Sequence, residues 1–562
     1  MAISAGSDSL KSAEGLSIES NSILKLDLNY EINERVTTEP MSFNFDKPKL
    51  GLKEILASIK AAKSDDKIKG IYIPLGMGIQ CGYATIEAIR NELIDFKKAN
   101  KFVIAYDEVG TQKSYYLASV ADNIYLNPKG GIDFRGFGGQ MMFLKGMLDK
   151  LEIKTQIYYA GKFKSATEPL RYDKMSDPNK QQMTEYLSDF SSIIMQNIST
   201  ARNIPLNRLS ELTDSMMLSN PEDAVAYHFV DGLKYQDEVE GILKKESGIA
   251  ADQDIKLVSL NNYFDAVSND AEPKTSKIAV VIAEGDIVDG KGDRNNIGSS
   301  RYAKVFKDLR ENNDIKAVVL RINSGGGSAL ASDVMWRELE LLKAKKPVVV
   351  SMGDVAASGG YYIAANAKQI FAQPNTITGS IGVFGVIPNM QDFFKNKLGI
   401  TYDEVEINQH AVLGVNKPFD EYEAQFFQKR VDQIYMDFKQ VVAAGRKRDI
   451  EYIDSIAQGR VWSGTKAMQI GLVDQLGGLD AAIAFACKEA KIEVESPEYF
   501  PKHKEGIEAI LESFSEASLR QMMYSYLLKD ESKLQLKTLR EINAMRDLQG
   551  IRMSLPFILN IY

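Results

Sequence analysis

The sequence predicts an α/β protein made of two tandem copies of one domain, each a sheet-and-helix core with extra helices. Three observations carry this. Apolar runs such as Ala317-Val318-Val319-Leu320 and Val348-Val349-Val350 lack polar alternation, which reads as strands covered on both faces. Helical segments alternate with these runs, as a sheet covered on both sides requires. The chain also repeats itself. Ile-Lys-Gly-Ile-Tyr-Ile at 68–73 returns as Ile-Lys-Ala-Val-Val-Leu at 315–320. Arg90-Asn91-Glu92-Leu93 matches Arg337-Glu338-Leu339, and Tyr115-Tyr116 matches Tyr361-Tyr362. One long, near-constant offset implies two copies; a many-unit solenoid would repeat at a far shorter period.

Taken in order, residues 1–22 are polar and lack the apolar core of a signal peptide, so they read as a flexible lead-in. Leu24, Leu26, Leu28 and Tyr30 alternate with polar residues and predict the strand that opens the first copy, residues 23–258. Residues 259–276 are polar with a proline and are expected to be a linker. The second copy, 277–504, opens on the apolar stretch Ile278–Ile282. Late in the copies, 218–233 resembles 462–476. The extension 505–562 has no counterpart and reads as helical, suited to packing or oligomerisation.

The 562 residues suffice for several domains, and 44% apolar with 26% charged residues is ordinary for a globular protein. A net charge of −8 argues against a nucleic-acid partner, which favours a basic footprint. No run reaches the roughly 18–20 apolar residues that span a bilayer. Cys81 and Cys487 make neither a disulfide framework nor a metal site.

The copies differ at one place that bears on chemistry. Where the second has Ala357-Ser358-Gly359-Gly360, the first has Thr111-Gln112-Lys113-Ser114. Ser358 follows a strand and precedes a helix, so its hydroxyl is a candidate nucleophile at a helix start whose free N–H groups favour negative charge. A plain helix cap is the competing reading. Asn323-Ser324-Gly325-Gly326-Gly327-Ser328 also follows a strand, and its consecutive glycines leave N–H groups unshielded, as an oxyanion hole needs. It lacks the Gly-Lys-Ser/Thr ending of a phosphate loop, and the Gly76–Gly82 segment misses dinucleotide spacing by one residue. A serine nucleophile needs a base. His228, His410 and His503 have no context suited to a triad. A buried lysine can serve once its pKa falls toward neutrality, but composition does not choose among the lysines.

Gly-Asp-Val-Ala-Ala-Ser-Gly-Gly-Tyr-Tyr (353–362), Ile-Asn-Ser-Gly-Gly-Gly-Ser (322–328), Thr-Gly-Ser-Ile-Gly-Val-Phe-Gly-Val (378–386) and Gly-Lys-Phe-Lys-Ser-Ala-Thr-Glu-Pro (161–169) together resemble the long-form bacterial signal peptide peptidase A family, or protease IV. The resemblance runs from about residue 20 to 500. It implies a Clp-protease/crotonase-like fold and a serine endopeptidase with a Ser-Lys dyad. Ser358 is then the nucleophile and Lys164 the base. Gly325, Gly326 and the N–H of Gly359 form the oxyanion hole, and Ser380 steadies the lysine amine. Gly325 replaces the proline that the family usually carries. No cofactor and no metal is implied. Cleaved signal peptides and other hydrophobic peptides are the implied substrates. A homotetramer on the bacterial inner membrane, facing the periplasm, is the implied setting, with an anchor that the sequence given does not contain.

The repeat bears on the lysine as well. Residues 402–421 align with the Lys164 segment and carry no equivalent lysine, while the first copy carries no equivalent of Ser358. Each copy keeps half of a dyad, so the site is expected to combine the two. Lys162 and Lys113 are the competing bases. Two other readings keep the fold without the chemistry, a peptide-binding scaffold and an acyl-CoA enzyme.

Overall fold

The computed structural model describes residues 18–36, 49–269, 276–494, 496–502, 550–554 and 560–561. The chain forms two compact units: residues up to 136 with 192–274, and residues 137–191 with 275–562. The segment 137–191 thus falls in the first repeat by sequence and in the second unit by packing. Lys164 goes with it.

The first unit holds a six-stranded sheet of β1 (Ser22–Lys25), β2 (Ile68–Pro74), β3 (Phe102–Thr111), β4 (Asn123–Asp133), β7 (Gly232–Leu233) and β8 (Leu257–Ser259). The order is β7-β4-β3-β2-β1-β8, and each neighbouring pair is parallel. β1 stops at Lys25, short of the alternating pattern that runs to Tyr30. Beyond β8, residues expected to be linker form the helix Leu260–Asn269. Tyr263 is its anchor, fully buried with its hydroxyl donating to Asp65.

The second unit holds an eight-stranded sheet and a six-stranded one. The first comprises β9 (Ile278–Glu284), β12 (Ala317–Ser324), β14 (Val348–Ala357), β15 (Gln369–Ala372), β16 (Ile377–Gly379), β18 (Val461–Ser463), β19 (Gln475–Leu476) and β20 (Glu498–Phe500). Its main path is β18-β16-β14-β12-β9-β20, with β15 and β19 extending from β14. Alternate residues serve opposite faces, as a pleated strand dictates. Val280, Val319 and Val349 meet Ala482, Ile483, Ala486 and Cys487 of the helix Leu479–Ala490. Val281, Val318, Leu320 and Val350 join the larger core on the other side. Cys487 is a core residue.

The other sheet comprises β6 (Lys154–Ala160), β10 (Asp286–Val288), β11 (Asn296–Gly298), β13 (Gly326–Ser328), β17 (Val383–Asn389) and β21 (Gly550–Ser554), in the order β11-β10-β13-β21-β17-β6. β6 pairs antiparallel with β17 along its whole length, Ala160 opposite Val383 and Lys154 opposite Asn389. That pairing carries the 137–191 segment into the second unit. The remaining strands, β5 (Gly139–Gln140) and β22 (Asn560–Ile561), pair antiparallel with each other. The helical reading of 505–562 falls mostly outside the described residues, and the described parts of that stretch, Gly550–Ser554 and Asn560–Ile561, are strands rather than helix.

Candidate active site

Ser358 joins the end of β14 to the helix Gly359–Ala364, with φ +54° and ψ −115°. A non-glycine residue there is strained, and such strain persists only where surrounding structure enforces it. Two hydrogen bonds do so: the Ser358 N–H donates to Gly379 O at 2.8 Å, and Tyr362 N–H donates to Ser358 O at 2.8 Å. The equivalent turn of the first unit is relaxed. Thr111 there has φ −100° and accepts from Ser114 N–H as an ordinary helix cap.

Lys164 follows β6 by four residues and is fully buried. Its Nζ lies 3.0 Å from Ser358 Oγ, 2.9 Å from Ser380 Oγ and 3.2 Å from Ser380 O, and it also donates to Ser554 O. All four partners are uncharged, and among the described residues the amine has no carboxylate partner. Burial therefore acts on it unopposed and holds its pKa well below the ordinary 10.5. Lys162 is exposed. Lys113 donates to Cys81 O within the first unit.

The lysine backbone is clamped by the loop 458–461. Phe163 N–H donates to Gln458 O at 2.7 Å, and Ser380 N–H to Arg460 O at 2.7 Å. Gln182 donates to Phe163 O at 3.0 Å and to Ser165 Oγ at 2.9 Å. Gly459 is the tightest point. Its φ is +75°, and a Cβ there would stand 2.7 Å from the Lys164 Cβ and backbone nitrogen. Gly459→Ala is expected to push Lys164 off line and lower kcat about 10- to 100-fold, since a displacement near 1 Å costs that much. Steady-state kinetics beside a thermal melt checks it. Neither Gly459 nor Gln182 is marked by local sequence, because each matters through a contact made by folding.

Within the Lys-Ser-Ala-Thr-Glu-Pro stretch, Glu168 is buried and accepts from Ser176 N–H, Ser176 Oγ and Asn179 Nδ2 at 3.1, 2.6 and 2.9 Å. It pins the turn after Lys164 to the start of the helix Asp177–Arg202.

The glycine loop abuts the serine turn. Gly325 links β12 to β13. Gly326, at φ +99°, approaches so closely that a Cβ would lie 2.6 Å from the Gly359 nitrogen. Gly326 N–H donates to Ser324 Oγ at 3.1 Å, a partner that sequence did not suggest. Gly359 opens its helix, where N–H groups have no intrahelical acceptor.

The histidines stand elsewhere. His228 is exposed at a turn with φ +61°, and His503 is outside the described residues. His410, Asp420 and Glu423 place ligand atoms within 4.8 Å of one another. The two carboxylates exchange capping bonds at the helix Glu421–Arg446, and His410 Nδ1 meets Glu423 at 3.0 Å, so helix capping accounts for the group.

Two stretches of this chain, 95–250 and 340–493, match Peptidase family S49, one in each repeat. The chain belongs to peptidase family S49. It is 35% identical over 445 residues to Protease 4 of Haemophilus influenzae, covering 77% of this chain and 72% of that protein. Protease 4 of Salmonella typhi is 34% identical over 479 residues, covering 84% and 77%. The chloroplastic serine protease SPPA of Arabidopsis thaliana is 31% identical over 483 residues, covering 84% and 70%. This S49 chain is a serine protease, and the tandem organisation read from its sequence is that of the two family matches.

Proposed function

We propose that this serine protease is an endopeptidase whose Ser358 and Lys164 act as a nucleophile–base dyad. The observation that carries the reading is the buried amine of Lys164, 3.0 Å from the hydroxyl of a strained serine and surrounded by neutral oxygens. Neutral Lys164 takes the Ser358 proton as Oγ attacks the peptide carbonyl. N–H groups of the glycine turn hold the oxyanion; Gly359 opens its helix with its N–H directed away from the helix ladder, whereas the Gly326 N–H is engaged by Ser324 Oγ. Ser380, bonded through both hydroxyl and carbonyl, fixes the amine so that its lone pair faces Ser358. The lysine ammonium then protonates the leaving amine, and water activated by the same lysine hydrolyses the acyl-enzyme.

Peptides with apolar residues, including cleaved signal peptides, are the proposed substrates, on the strength of the family resemblance. The same resemblance supports a homotetramer at the bacterial inner membrane, facing the periplasm. Among the described residues no helix is long and apolar enough to cross a membrane.

The test is hydrolysis of fluorogenic peptides carrying either an apolar or an acidic residue on the acyl side of the cut. Wild type should turn over the apolar series at least about tenfold faster, a difference of about 1.4 kcal/mol. Ser358→Ala should lose about 10⁴-fold or more in kcat/KM with an unchanged melting curve. Equal rates on both series would remove the substrate reading, and full activity in Ser358→Ala would remove the dyad.

A further inference from the structure

The second sheet of the larger unit is completed by a strand that arrives from the far end of the chain. β13 and β17 do not pair with each other, and β21 fills the gap between them. It runs antiparallel to both: Gly326 opposite Ser554, Gly327 opposite Met553 and Ser328 opposite Arg552 on one side, Phe384 opposite Arg552 and Gly385 opposite Ile551 on the other. Without β21 the sheet has a slot one strand wide, about 10 Å between β13 and β17. Such a slot binds any extended peptide through main-chain hydrogen bonds.

The slot is floored by the candidate site. The Met553 carbonyl oxygen lies 2.0 Å from where a Cβ on Gly326 would stand and 3.1 Å from one on Gly359. The next carbonyl, of Ser554, accepts from Lys164 Nζ. The Met553–Ser554 peptide therefore passes directly over the glycine turn and the amine. Strand alternation sends Ile551 and Met553 the same way. Met553 is 2% exposed, and both side chains join the apolar core of the unit. Ser554 Oγ is buried with no hydrogen-bond partner among the described residues, which weakens the strand's hold relative to a core strand. Farther on, β22 pairs with β5, so the chain is held again past the slot.

We infer that residues 550–554 are a tethered ligand of the peptide groove. They occupy it in substrate register and must leave before a substrate strand can pair with β13 and β17. The ligand class that the groove takes is an extended segment with apolar residues at alternate positions, the second of them a side chain of methionine size. The inference rests on the proteolytic reading only for what the groove is used for. A covalent tether gives effective concentrations up to the millimolar range, so even a weak strand competes with free peptide.

The test uses the full chain. Met553→Asp places a carboxylate in the apolar pocket and should unseat β21. The KM for a fluorogenic apolar peptide is expected to fall about tenfold, with kcat unchanged. Ile551→Asp is the second variant, should Met553→Asp melt early. In parallel, a fluorescein-labelled peptide of residues 546–562 is titrated, by anisotropy, into the Ser358→Ala chain with and without Met553→Asp. Binding only where the resident strand has been unseated, and loss of binding when the peptide itself carries Met553→Asp, is the expected result. Equal KM values together with equal peptide binding by both chains would overturn the inference while leaving the proteolytic reading intact. The expected binding pattern, together with no turnover by the chains that retain Ser358, would do the reverse.

Discussion

Ser358→Ala and Lys164→Ala should each lower kcat/KM by about 10⁴-fold or more, and the double variant should be no worse than either single one. Catalytic groups that act as a unit are strongly non-additive, because losing either partner forfeits the step that both perform. The geometry makes the pair such a unit: Lys164 Nζ meets Ser358 Oγ at 3.0 Å, and among the described residues it has no acid to serve instead. Some rate over water should survive in all three variants, since glycine N–H groups still polarise the carbonyl. Additive losses would mean that the two residues work in separate steps.

The second large effect is on pH. The neutral amine is the base, and burial holds the Lys164 pKa well below 10.5. Activity should climb about tenfold per pH unit on the acid side of that depressed value and level off above it. Stability moves with the same proton. Between the depressed folded pKa and the unfolded value of 10.5, the unfolded chain binds more protons at this site, so stability rises with pH across that window. Above 10.5 the penalty is gone, and below the folded pKa it is complete. Lys164→Met, which fills the space without the amine, should therefore melt higher than wild type at neutral pH, with the gap closing toward pH 10.5. A gap that widens with pH would mean that the amine is charged and paired in the folded protein.

Local pattern carried much of the architecture. Ala317–Leu320 and Val348–Val350 could be read as buried strands because their alternate residues do face two cores. The Ala-Ser-Gly-Gly turn was legible because only small residues follow the serine, and its degenerate copy threw it into relief. What escaped was decided by distant pairing. β6 joins β17 across more than 200 residues, which moves Lys164 out of the repeat that encodes it. The helix at 260–269 hides in a polar stretch because only two of its described residues, Leu260 and Tyr263, are buried. Gly459 and Gln182 carry no motif, and their roles exist only once the 458–461 loop meets Lys164. Gly550–Ser554 is too short to announce itself, and its strand form depends on the slot that it fills.

The most direct test of the central claim is to trap the acyl-enzyme. An activated ester of an N-blocked apolar amino acid is mixed with the full chain, quenched in acid, and the adduct mapped by peptide mass spectrometry. One acyl group is expected, on Ser358, forming faster as pH rises and absent from Lys164→Met. An adduct on another residue, or one on Ser358 that forms equally well without Lys164, would contradict the dyad.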